Sequence, residues 1–209
     1  FHAPGAQAQV ATYAPVGPQT NVPVATVTGG GWVECHRESF SANTPIATIA
    51  AACNKAQMMM ACTNDANTIQ LLAQAPRADV MFDTGNPTTN PGGYNTPRTV
   101  NGTGWYFNGE WSWGFAPAGA PLERYSCDGG DDLSFTVNPD PMRMCIHTGG
   151  NNTSGGWRCG ATTGNNGSAI YSYQRVFYHA DGAVAGATAP GAPTSVTATA
   201  GDTTATVSF

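Results

Sequence analysis

The chain has 209 residues, enough for one core-bearing domain with an appendage, and its 8 Lys plus Arg against 13 Asp plus Glu give a net charge of −5. Only 10% of the residues are charged, against about 25% in typical soluble domains, and 26 Gly and 15 Pro punctuate a sequence whose polarity is mostly uncharged. This balance excludes the basic footprint of a nucleic-acid binder, and the longest apolar stretch, around Ile46 to Cys53, is far short of the roughly 20 residues that span a bilayer.

Residues 1–30 show no sustained period of either kind and read as a signal-peptide remnant and/or an extended leader that pairs one strand, around Val22 to Val27, onto a following domain. Ala6-Gln7-Ala8 has the small-x-small form that signal peptidase cuts after; the competing reading is a plain Ala/Pro/Gln linker. A β-rich domain is expected over 31–181, opening with the alternating strand Trp32 to His36. Thr44-Pro45 looks like an N-cap with proline at the first helical position, and Ile46, Ile49, Ala50 and Cys53 follow at i, i+3, i+4 and i+7. One short helix near 45–53 is the expectation.

Gln57 to Cys62, Thr68 to Gln74 and Ala78 to Asp83 are short apolar runs between Asn, Asp or Pro residues and read as successive strands. Within the first, Met58-Met59-Met60 reads as core filling, since three consecutive strand side chains cannot all face one ion. After a long Asn/Pro/Thr/Gly loop from Thr84 to Gly104 comes the densest aromatic patch, Trp105 to Phe115, with Asn108-Gly109 as a hairpin turn signal. Ser134 to Val137, Arg143 to His147, Gly156 to Cys159 and Gln174 to His179 supply further strands. The expected fold is mainly β, α+β at most: an antiparallel sandwich or compact mixed sheet with one short helix.

Cys35, Cys53, Cys62, Cys127, Cys145 and Cys159 form no Cys-x-x-Cys pair of the kind that delivers two ligands to one zinc ion. Three disulfides are therefore expected, with Cys127 to Cys145 and Cys35 to either Cys53 or Cys62 preferred among 15 connectivities. Disulfides imply an oxidising compartment, hence secretory export to the cell surface or medium.

From Gly182 an Ala/Gly/Pro linker runs to residue 189, and 190–209 follows as Pro190-Gly191-Ala192-Pro193-Thr194-Ser195-Val196, a Gly201-Asp202 turn and a second strand from Thr204. This stretch resembles the opening of a fibronectin type III module, cut off after its second strand. Gly29-Gly30-Gly31-Trp32, Ala75-Pro76-Arg77-Ala78-Asp79-Val80, Gly104-Trp105-Tyr106-Phe107, Trp113-Gly114-Phe115-Ala116 and Gly156-Trp157-Arg158-Cys159-Gly160 together resemble a family of exported bacterial proteins. Its members carry a six-cysteine N-terminal domain followed by fibronectin type III-like repeats. The resemblance implies location and architecture, and it implies no activity or site residues.

No Gly-x-Ser-x-Gly elbow, P-loop, dinucleotide fingerprint or His-x-x-x-His pattern is present, and the acidic residues show no spacing that pairs two of them as a glycosidase would. A catalytic role has no motif behind it. Cys127-Asp128-Gly129-Gly130-Asp131-Asp132 makes Asp128, Asp131 and Asp132 calcium candidates, against the simpler reading of an exposed turn, since EF-hand spacing is missing. No other cofactor is expected. Strand alternation would put Trp111 and Trp113 on one face, beside Asn108 and Glu110, as flat rings beside amide and carboxylate groups that bind sugars; the competing reading is that these rings build the core. The leading expectation is a noncatalytic extracellular recognition or adhesion module whose partner is a glycan or a surface protein. The alternatives are a purely structural surface or matrix component and, third, a secreted hydrolase. The sequence carries no signal for oligomeric state.

Overall fold

The computed structural model describes residues 10–87, 89, 96–120, 122, 127, 142–164 and 169–183, together with the backbone of 197–200 and 205–208. Chain order begins with β1 (Val10–Ala11), β2 (Gln19–Pro23), α1 (Val24–Gly29), β3 (Val33–Ser39), α2 (Ile46–Ala52), β4 (Gln57–Thr63), β5 (Thr68–Pro76) and α3 (Arg77–Val80). It continues with β6 (Arg98–Val100), β7 (Thr103–Asn108), β8 (Ser112–Pro117), β9 (Met144–Gly149), β10 (Asn152–Cys159), β11 (Thr162–Gly164), a 3-10 turn at Ala169–Ser172, β12 (Gln174–Ala180) and β13 (Gly182–Ala183). The backbone of 197–208 contributes β14 (Thr197–Ala200) and β15 (Ala205–Ser208), an antiparallel pair with Thr197 opposite Ser208.

Two antiparallel sheets carry the fold. One has the order β2-β5-β4-β12-β3, and the other is a meander, β11-β10-β9-β8-β7-β6. Alternation explains how they meet. Met58, Met60 and Cys62 of β4, Ala73 and Ala75 of β5 and Phe177 of β12 join Trp105, Trp113, Phe115, Met144 and Ile146 of the meander in one buried cluster. Met59, Leu72, Val176, Tyr178 and Ala180 lie in a second cluster on the other face of the five-stranded sheet, so β4 is apolar without a break from Met58 to Cys62. The methionines fill core on both faces.

The second cluster is covered from the N-terminal side. Val22, Val27 and Trp32 pack on it, and the Trp32 indole donates to the Tyr13 carbonyl at 2.7 Å. Gly30 lets this strap close, since a Cβ there would sit 2.2 Å from the Tyr13 Cβ. The expected strand at Val22 to Val27 is thus half right: β2 ends at Pro23, and Val24–Gly29 turns into α1, with the Val24 N–H bonded to the Asn67 carbonyl. β1 closes the strap by pairing in parallel with β13.

Two further expectations shift. The helix α2 forms as its apolar spacing predicts, with Ile46 and Ile49 buried, but Pro45 occupies the cap position and Thr44 donates its N–H to Thr153 Oγ1 at 2.9 Å instead of capping. Ala78 to Asp83 is not a strand. Arg77–Val80 is a helical turn pinned by the Arg77 guanidinium, which donates to the carbonyls of Cys53 (2.8 Å) and Ala50 (3.0 Å). Ser134 to Val137 lies outside the described residues.

All six cysteines are paired: Cys35 to Cys53, Cys62 to Cys159 and Cys127 to Cys145. The first ties edge strand β3 to the end of α2. The second joins β4 to β10 and so staples one sheet to the other.

Candidate functional site

β7 and β8 form the expected aromatic hairpin, but Asn108 pairs with Ser112, so the loop is the three residues Gly109, Glu110 and Trp111 rather than a two-residue turn. Strand alternation therefore starts only at Ser112. Trp113 points into the inter-sheet core, fully buried, with its indole N–H on the Val80 carbonyl at 3.0 Å and its ring 5.1 Å from Phe177 and 5.4 Å from Phe107. Trp111 sits in the loop, half-buried. The expectation that both rings share a binding face is corrected here: Trp113 is core, because the face it occupies is the one the five-stranded sheet covers.

Asn108, Glu110 and Trp111 do come together at the hairpin tip. The Asn108 side-chain oxygen accepts from the Glu110 N–H at 3.0 Å, and its amide donates to Asp83 Oδ1 at 3.1 Å, an oxygen that also accepts from the Gly85 N–H. Exposed Glu110 accepts from the Gly150 N–H at 2.9 Å. Thr148 Oγ1 donates to the Asn108 carbonyl and its N–H to the Trp111 carbonyl, while the Asn151 N–H reaches Gly109. Three loops are thereby cross-linked at the tip that carries Trp111. Gly109 serves contact rather than turn geometry: a Cβ there would lie 2.1 Å from Asn151 Oδ1.

Asp83, Thr148 and Asn151 belong to this tip and were missed from the sequence. The Asp83-x-Gly85 pattern, an Asx turn at the start of the long loop, was the one signal available for any of them. Asp128, Asp131 and Asp132 lie outside the described residues, and among the described residues no group of three or more His, Cys, Asp or Glu could hold a metal ion.

A second polar cluster is buried between β3 and β12. Arg175, fully buried, has its Nε 3.0 Å from Glu38 Oε1, not aligned as a hydrogen bond, and donates to the carbonyls of Ser154, Ser39 and Ala42. Glu38 Oε2 contacts His36 Nε2 at 3.1 Å. Burial lowers the Arg175 pKa to about 10 against the opposing pull of Glu38, which still leaves it charged at neutral pH. Its carbonyl contacts mark a residue that holds the 39–42 turn and β10 in place. His147 stacks flat on Trp157 at 5.3 Å on the meander, and Trp157 donates to the Cys127 carbonyl at 2.7 Å.

Comparison with protein-family models, with curated proteins and with solved structures finds no match for this chain. Among the described residues no helix is long and apolar enough to cross a membrane. The fold and the residues themselves define the class as a disulfide-stapled, two-sheet β domain.

Proposed function

We propose that this chain is a noncatalytic extracellular recognition or adhesion module that contacts a glycan through its hairpin tip. One observation carries the reading: Trp111 is partly exposed on a tip whose backbone is fixed by Asn108, Glu110, Thr148 and Asn151, while Trp105 and Trp113 are fully buried. A ring carried on a loop whose backbone is already fixed spares the cost of ordering that loop on contact, which helps a small aromatic surface gain useful affinity. Export is supported by the three disulfides, which persist where thiols are oxidised.

A purely structural surface component is the second reading, favoured by the commitment of the Asn108 amide and the Glu110 carboxylate to neighbouring loops. Tryptophan fluorescence separates the two. Emission that shifts saturably on adding polysaccharide, and no longer does so in Trp111→Ala, supports recognition at the tip. An unchanged spectrum across a panel of polysaccharides supports the structural role.

A further inference from the structure

A groove of about 300 Å³ opens where edge strand β2 and strand β5 meet the turn from β10 to β11. Thr20, Asn21, Gln70, Leu71, Thr162 and Tyr173 line it, and none of its lining side chains is charged. It shares no residue with the hairpin tip. The contrast with the neighbouring depression is informative, because that one is lined by Arg37 and Asp65 and suits a charged or zwitterionic visitor.

The lining offers the hydroxyls of Thr20 and Thr162, the Asn21 amide and the Tyr173 ring, while Leu71 is buried in the inter-sheet core and the Gln70 side chain is bonded to Asn64. A ligand that fits must be uncharged, rich in hydroxyls and apolar on one face, since a charge buried here would find no counter-charge. A pyranose has those properties. The groove is also set before anything binds. Thr162 Oγ1 lies 3.1 Å from the Tyr173 hydroxyl, the Gln70 side-chain oxygen accepts from the Asn64 N–H at 2.9 Å while its amide bonds the Asn64 side chain, and Cys159 in its wall is tied to Cys62. Asn21 adopts φ 55° and interrupts the β2 ladder between Thr20 opposite Leu71 and Val22 opposite Ile69. The register is the same on both sides of it, so this is a local left-handed turn of the backbone with no inserted residue, and Asn21 is exposed beside the groove.

We propose that this groove is a binding site for a neutral oligosaccharide, with the Tyr173 ring as stacking surface and Thr20 and Asn21 as hydrogen-bonding groups. It stands independently of the tip, so either site can fail alone.

The test is amide chemical-shift mapping of the oxidised full chain with cellotetraose, maltotetraose, xylotetraose and chitotetraose, and with oligogalacturonate as an anionic control. The expected result is saturable shifts at 20–21, 70–71 and 160–162 with at least one neutral chain. Tyr173→Ala should weaken that binding by about tenfold. Asn21→Gly, which keeps the backbone conformation and removes the amide, should weaken it by about threefold, the worth of one hydrogen bond. Trp111→Ala should leave it unchanged. No saturable shift with any neutral chain, shifts confined to other residues, or preference for oligogalacturonate overturns the proposal. Asn21→Gly keeps the test decisive even where Tyr173→Ala perturbs folding.

Discussion

Two tryptophans two positions apart have opposite fates, and the free energies should show it. Trp113→Ala empties a fully enclosed site and strands the Val80 carbonyl, so urea unfolding should report a loss of about 3–5 kcal/mol. Trp111→Ala trims a half-buried ring and should cost about 1 kcal/mol, which makes it the variant suited to probing binding. His147 supplies a pH signature. Its burial lowers its pKa below the ordinary 6.5, opposed by a Gly155 backbone hydrogen bond and reinforced by Arg175. A depressed folded-state pKa means the unfolded chain takes up the proton first, so stability present above 6.5 is lost as pH falls below it. Thermal melts should fall between pH 7 and pH 5.5, and His147→Gln should flatten part of that slope. His179, lowered chiefly by burial and also by Lys55 against the pull of Asp181, contributes in the same direction.

Among the elements, strands were read well and their ends poorly. Gln57 to Cys62, Thr68 to Gln74 and Gln174 to His179 each became a strand because alternation, or an unbroken apolar run, has few other solutions. Ala78 to Asp83 reads as a strand in sequence, whereas Arg77–Val80 is helical because a guanidinium reaches two carbonyls some 25 residues earlier in the chain, partners no local window contains. The hairpin forms where Asn108-Gly109 signals it, with a three-residue loop on whose Gly109 the Asn151 loop packs. Arg175 was invisible as a structural residue, although a lone cation ahead of Val176-Phe177-Tyr178 was a usable hint. Replacing it with Ala leaves buried Glu38 with only the His36 contact and removes one donor from each of the Ser39, Ala42 and Ser154 carbonyls, and should cost about 3–5 kcal/mol by chemical denaturation. Glu38→Gln, which keeps shape and removes charge, should cost less.

The described residues form two main sheets that share one buried cluster, with a second cluster on the far face of the five-stranded sheet, and covalent staples hold them. Cys62–Cys159 spans 97 residues and joins the sheets, whereas Cys35–Cys53 and Cys127–Cys145 each span 18. Loop-closure entropy then ranks them: paired Cys→Ala replacement should cost about 4–5 kcal/mol for the first and about 3 kcal/mol for the Cys35–Cys53 bridge, read from denaturant midpoints. Cysteine count and spacing pointed to the staples and to Cys127–Cys145, and left Cys35 open between Cys53, its partner, and Cys62. They gave no hint of the inter-sheet bridge, whose partners are adjacent only once both sheets exist.

Recognition at the hairpin tip is tested most directly by a glycan-array experiment on the oxidised full chain beside Trp111→Ala, with folding checked by circular dichroism. The parent should bind a defined subset of glycans, and the folded variant should lose at least part of that subset. A folded parent that binds nothing, or a variant whose profile matches the parent throughout, would contradict recognition at the tip and leave Trp111 as a strut of the loop end.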